Sequence, residues 1–118
     1  MKTIAVYGSL KQGKHNHGMI ASGKYVGRSN RTGHMYLIST YPAFIPADDG
    51  LNHHFELYEV DDDTYQRVRG MEISAGYNEE TAEFEMRGSG EIVEALFYPA
   101  GEFLRNHCIE SRPMIPGY

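Results

Sequence analysis

Short apolar runs broken by turn residues dominate the chain, and few are long enough for a helix. Thr3-Ile4-Ala5-Val6-Tyr7 is apolar and β-branched, which predicts a buried strand, and Gly8-Ser9 ends it. Gly13 and Gly18 keep the next segment irregular, with room for one helical turn from His17 to Ser22 before Gly23. Lys24 to Gly27 and His34 to Ser39 are candidate strands, and the polar stretch from Arg28 to Gly33 between them predicts a loop. Tyr41 to Pro46 reads as extended, with Pro42 and Pro46 limiting its ladder bonds. Asp48-Asp49-Gly50 predicts a turn, and His54 to Val60 another strand.

Asp61-Asp62-Asp63 then offers N-cap carboxylates whose charge suits a helix N-terminus. The pattern predicts a helix through about Met71, with Tyr65, Val68 and Glu72 on one inward face at spacings of three and four. Gly70 inside it costs about 1 kcal/mol relative to Ala, and Gly76 breaks the pattern. Thr81 to Met86 and Ile92 to Tyr98 predict a hairpin around Gly88-Ser89-Gly90. Residues 101–118 read as an irregular C-terminal tail. Many short strands with one or two flanking helices predict an α+β fold, a small mixed sheet or partly closed β-barrel. Crossover helices are too few for a doubly wound sheet.

The 118 residues fit a single domain, 1–118, able to bury roughly two-thirds of its unfolded surface. Hydrophobic residues at 41% and charged residues at 23% exclude a disordered chain. Eleven basic against sixteen acidic residues give a net charge of −5, which disfavours a nucleic-acid partner. No apolar run approaches the roughly 20 residues of a membrane span. Met1-Lys2-Thr3-Ile4 lacks the apolar core of a signal peptide, and the lone Cys108 excludes an internal disulfide framework. A cytoplasmic protein, monomer or homodimer, is the expectation.

Gly8, Gly13 and Lys14 match most of a phosphate-binding loop after a strand, but His15 stands where Ser or Thr would ligate magnesium. A plain glycine turn is the simpler alternative. The histidines lack metal-site spacing: His15 and His17 are two apart, His53 and His54 adjacent. His15 and His17 suit capping the turn or lining a pocket mouth. Cys108 and His107 are adjacent and point apart, so they form no ready dyad.

Val6-Tyr7-Gly8-Ser9-Leu10, then Gly13, then His17-Gly18, resembles the opening of the gamma-glutamylcyclotransferase-like (AIG2-like) family. The resemblance continues in order through Tyr25-Val26-Gly27, Tyr41-Pro42-Ala43, Leu57-Tyr58-Glu59-Val60 and Phe97-Tyr98. Glu72 falls where that family has its catalytic glutamate. The resemblance implies the family's fold and a cofactor-independent, metal-free ring closure of a small γ-glutamyl compound to 5-oxoproline. It implies substrate contacts at Tyr7, Gly8, Ser9 and Leu10. Tyr77 and Tyr98 are further candidates for pocket walls.

The residues suit these roles. Successive backbone N–H groups after a strand make an anion pocket, and Gly8 lets a ligand approach the backbone closely. A carboxyl at Glu72, partly buried on an apolar helix face, is expected to have a raised pKa. Two other readings remain: a non-catalytic module binding a small anion on the same fold, and a nucleotide binder using Lys14.

Overall fold

The N-terminal apolar run forms strand β1 (Lys2–Val6), placed centrally because Ile4, Ala5 and Val6 are all buried. The computed structural model describes residues 1–38, 41–111 and 114–115. After a single 3₁₀ turn at His17–Met19 come β2 (Lys24–Ile38), β3 (Tyr41–Pro46) and β4 (Leu51–Val60). Helix α1 (Asp62–Ser74), strands β5 (Glu80–Glu85) and β6 (Ile92–Phe97), helix α2 (Glu102–Ser111) and strand β7 (Met114–Ile115) complete the elements of the described residues. They build a seven-stranded sheet in the order β3-β2-β4-β1-β6-β5, with β7 pairing to β2. β1 runs antiparallel to β4 and parallel to β6, so the sheet is mixed.

The sheet curls until β2 meets the β5–β6 hairpin. Gly27, at φ +152°, marks a register shift between Tyr25 and Gly27 that bends β2. Ser29 then bridges to Met86, its hydroxyl donates to the Glu85 carbonyl at 2.7 Å, and the Arg87 N–H donates to the Arg28 carbonyl at 2.8 Å. The result is the partly closed barrel expected, with two helices outside it. Its interior is aromatic: Tyr7, Phe44, Phe55, Phe84 and Phe97 pack with neighbouring ring centroids 5.3–6.2 Å apart. Among the described residues no helix is long and apolar enough to cross a membrane.

Two expectations are corrected. Arg28 to Gly33 is the middle of β2, not a loop. Its inward positions are Ser29, Arg31 and Gly33, so the alternation exists but is not written in apolar residues. Arg31 is accommodated by stacking its guanidinium 5.2 Å from the Phe84 ring and 5.5 Å from the Phe97 ring while donating to the Glu83 carbonyl. Residues 101–118 also contain regular structure, namely α2 and β7. Helix α2 buries Cys108 against Tyr36, Ala43 and Ile45, with Leu104 one turn earlier packed beside it. That i, i+4 stripe is narrow, and the exposed Phe103 obscures it.

The prolines of β3 sit at the sheet edge, where missing N–H donors are tolerated. Helix α1 starts as expected. The Asp61 carboxylate accepts the Thr64 N–H at 2.7 Å, and this bond holds its pKa below the usual range. The helix continues three residues beyond Met71, and Tyr65 and Val68 pack onto Ile4, Val6 and Tyr98.

Candidate active site

A cavity of about 350 Å³ opens where the end of β1 meets the C-terminal turn of α1. Tyr7, Gly8, Ser9, Leu10, Glu72, Tyr77 and Tyr98 all line it, so one space gathers the seven residues that were candidates for catalysis or substrate contact, while His15 and His17 are not among its lining residues. Ile38, Tyr41 and Pro42 close one side, and Leu104 of α2 another.

Glu72 is aimed by the way its helix stops. Gly76 takes φ +100°, the Gly76 N–H donates to the Ile73 carbonyl at 3.1 Å, and the Tyr77 N–H reaches back to the Glu72 carbonyl at 3.0 Å. These paired bonds form a Schellman motif. In that motif the residues at the positions of Glu72 and Tyr77 normally make an apolar contact. Here one of them is a carboxyl, and both face the cavity. Among the described residues no donor reaches that carboxyl, and burial alone pushes its pKa from 4.5 up to about 7.

The loop after β1 is held by its own carbonyls. The Gly8 carbonyl accepts the Lys11 N–H and the Ser9 carbonyl accepts the Asn16 N–H, both at 3.0 Å. The Leu10 carbonyl accepts from His17 Nδ1 at 2.9 Å, and Asn16 Nδ2 donates to Ser9 Oγ at 3.0 Å. Among the described residues no acceptor meets the N–H groups of Gly8, Ser9 or Leu10. They form a compact set of donors suited to a carboxylate.

The three tyrosines are walls, with their hydroxyls already engaged. Tyr7 Oη donates to the Tyr98 carbonyl at 2.8 Å and accepts the Phe44 N–H at 3.2 Å, deep in the core. Tyr77 Oη donates to the Pro42 carbonyl at 2.8 Å, and Tyr98 Oη to Glu79 Oε2 at 2.9 Å. Burial raises all three pKa values, so the phenols stay protonated. Among the described residues lining the cavity, Glu72 is thus the ionisable side chain left to act near neutral pH.

Other expectations sort out plainly. His17 braces the loop, while His15 packs on Tyr41 at the mouth, with ring centroids 5.5 Å apart. His53 lies inside the barrel against Phe44. Among the described residues no cluster of three or more His, Cys, Asp or Glu could hold a metal ion. The phosphate-loop alternative lacks its helix: Gly13 and Lys14 lead only into the three residues of the 3₁₀ turn. Sequence reasoning did not assign Asn16 or Leu104 to the site. Asn16 carried a weak signal, lying between the two histidines of the loop. Leu104 carried none, because its helix was not expected.

Comparison with known proteins bears on the family and the fold. A family model described as "Gamma-glutamyl cyclotransferase, AIG2-like" matches residues 4–116. A Pyrococcus horikoshii protein, provisionally named a gamma-glutamylcyclotransferase, is 34% identical over 74 residues, which are 63% of this chain and 62% of that one. The match thus spans just over three-fifths of the curated relative's length. The crystal structure of an uncharacterized protein from that archaeon superposes with a TM-score of 0.67 at 26% identity, covering 86% of this chain and 80% of that one. An AIG2-like protein from Mus musculus gives a TM-score of 0.78 at 21% identity, covering 100% of this chain and 88% of that one. The same fold recurs within Kluyveromyces lactis allophanate hydrolase, with a TM-score of 0.72 at 18% identity, where this chain covers only 20% of the enzyme. With its matched residues running from β1 to β7, this chain belongs to the gamma-glutamyl cyclotransferase, AIG2-like family.

Proposed function

We propose that the protein is a γ-glutamyl cyclotransferase that releases 5-oxoproline and a free amine from a small γ-glutamyl compound. The substrate's α-carboxylate accepts from the N–H groups of Gly8, Ser9 and Leu10. The Tyr7 backbone and the Tyr77 and Tyr98 rings fold the glutamyl chain so that its α-nitrogen approaches its own γ-carbonyl. The nucleophile is tethered, so most of the orientational cost is met within the substrate.

Glu72 takes a proton from the α-ammonium. The freed amine attacks the γ-carbon, a C–N bond forms, and a five-membered ring closes. Glu72 returns that proton to the leaving nitrogen as the original γ-amide bond breaks, and the second proton that the attacking nitrogen sheds on becoming the lactam N–H follows the same route, so the amine departs as an ammonium. The same carboxyl serves both steps, so no net proton is gained or lost. This chemistry calls for no metal or redox cofactor.

One observation carries the reading: a carboxyl held near pKa 7 by burial shares a cavity with three backbone donors that meet no acceptor among the described residues. A group with that pKa is suited to both giving and taking a proton at neutral pH.

The test is mass-spectrometric detection of 5-oxoproline from glutathione, a γ-glutamyl amino acid, a γ-glutamyl-lysine isopeptide and a γ-glutamylated alkylamine, with Glu72→Gln alongside. The expected result is product from at least one compound with wild type, and about 10²–10⁴-fold slower release with the variant. Equal release by the two would remove Glu72 from the mechanism. No product from any compound, with melting raised by the same panel, would favour an anion-binding module.

A further inference from the structure

Glu79 has no part in the chemistry above, yet three side chains converge on it. Its Oε2 accepts from Tyr65 Oη at 2.8 Å and from Tyr98 Oη at 2.9 Å, while Oε1 lies 3.5 Å from Arg69 Nε. Tyr65 and Arg69 are one turn apart on α1, the helix that carries Glu72.

The backbone explains why Glu79 arrives there. In the β5–β6 ladder Glu80 stands opposite Phe97. The pairing runs on past the strand ends: the Asn78 N–H donates to the Pro99 carbonyl at 2.9 Å, and Tyr77 bridges to Ala100. Glu79 is therefore opposite Tyr98, and opposed residues of an antiparallel pair rise on the same face. Tyr98 is 3% exposed and is one of the residues lining the cavity. Its carbonyl is the acceptor for Tyr7. Glu79 joins this wall to α1 through two phenols that share one carboxylate oxygen.

We propose that Glu79 is a positioning residue, which sets the Tyr98 ring as the wall of the glutamyl pocket and fixes that wall to the helix bearing Glu72. Its effect on turnover rests on the cyclotransferase reading. Its hold on Tyr98 does not. Tyr98 contacts the bound substrate in the ground state and the transition state alike, so loosening it acts mainly on KM.

The experiment compares Glu79→Ala, Glu79→Gln and Tyr98→Phe by NMR of ¹³C-tyrosine-labelled protein and by kinetics of 5-oxoproline release. Tyr98→Phe identifies the Tyr98 ring signals by their loss. Glu79→Ala is expected to shift those signals and to raise KM about tenfold, with a smaller change in kcat. Glu79→Gln keeps an acceptor oxygen and restores both. Tyr98→Phe raises KM to a similar degree, and the double variant is no worse than either single one. If Glu79→Ala does not fold, Tyr98→Phe and Glu79→Gln carry the same test. Unmoved Tyr98 signals, or a lower melting temperature with KM unchanged, would overturn the proposal. If wild type releases no 5-oxoproline, the cyclotransferase reading fails, and the ring signals still decide whether Glu79 holds Tyr98.

Discussion

A Cβ placed on Gly8 would stand 2.8 Å from Cγ of Pro42, so the loop after β1 and the start of β3 meet at a position only glycine fits. Pro42 cannot retreat freely, because its carbonyl accepts the Tyr77 hydroxyl. Gly8→Ala is therefore expected to push Pro42 and Tyr77 apart and open the cavity. Overpacking of this kind costs about 1–3 kcal/mol. Denaturant unfolding should show that loss, and KM for 5-oxoproline release should rise at least as much as in Glu79→Ala.

Glu72 makes stability depend on pH in a defined direction. Its carboxyl binds a proton more tightly in the folded chain, at about 7, than at the ordinary 4.5. The contribution is fully present below pH 4.5 and is lost as pH rises to 7, because the ionised form is penalised by burial. At 1.36 kcal/mol per pH unit the interval corresponds to about 3 kcal/mol. Glu72→Gln removes that penalty. Urea unfolding at pH 8 should find the variant more stable than wild type, and at pH 5 the gap should nearly close.

The same value shapes the rate. Wild-type kcat/KM is expected to fall below an inflection near pH 7 as Glu72 becomes protonated and can no longer accept from the ammonium. The residual activity of Glu72→Gln should lack that inflection. A pH–rate profile of both proteins checks it.

Gly76→Ala tests the helix stop. The positive φ alone costs a side chain about 1–2 kcal/mol, and the new Cβ would lie 3.0 Å from Leu104 Cγ. Both effects displace the turn that presents Glu72. Stability by urea titration and 5-oxoproline release should fall together.

Gly70→Ala is the contrasting case. Gly70 is exposed inside α1, and a Cβ there meets nothing within 4 Å. The substitution should stabilise the protein by about 1 kcal/mol and leave turnover unchanged. Thermal unfolding and the same product assay measure the two.

Comparing sequence with structure shows where local patterns suffice. β1, α1 and the β5–β6 hairpin were legible because each has its own signal: β-branched residues, an Asp N-cap, a glycine turn. The site was legible where residues are close in sequence or share a helix face, as with Tyr7 to Leu10 and Tyr65-Val68-Glu72. The middle of β2 was not, because Ser29 and Arg31 face inward with their polar atoms satisfied by Glu85 and Glu83 carbonyls, which only the closed sheet supplies. Glu79 was unreadable for a similar reason. Its partners lie 14 and 19 residues away and meet only after the hairpin has formed.

The placement of α2 bears on the order in which the molecule is made. Leu104 lines the cavity, and β7 pairs with Met35 and Tyr36 in β2. A chain emerging from the ribosome N-terminus first presents the glycine loop and Glu72 well before the segment that covers them. The nascent protein would pass through a stage with its pocket open along one side, and the cavity would be complete only once α2 and β7 have been made.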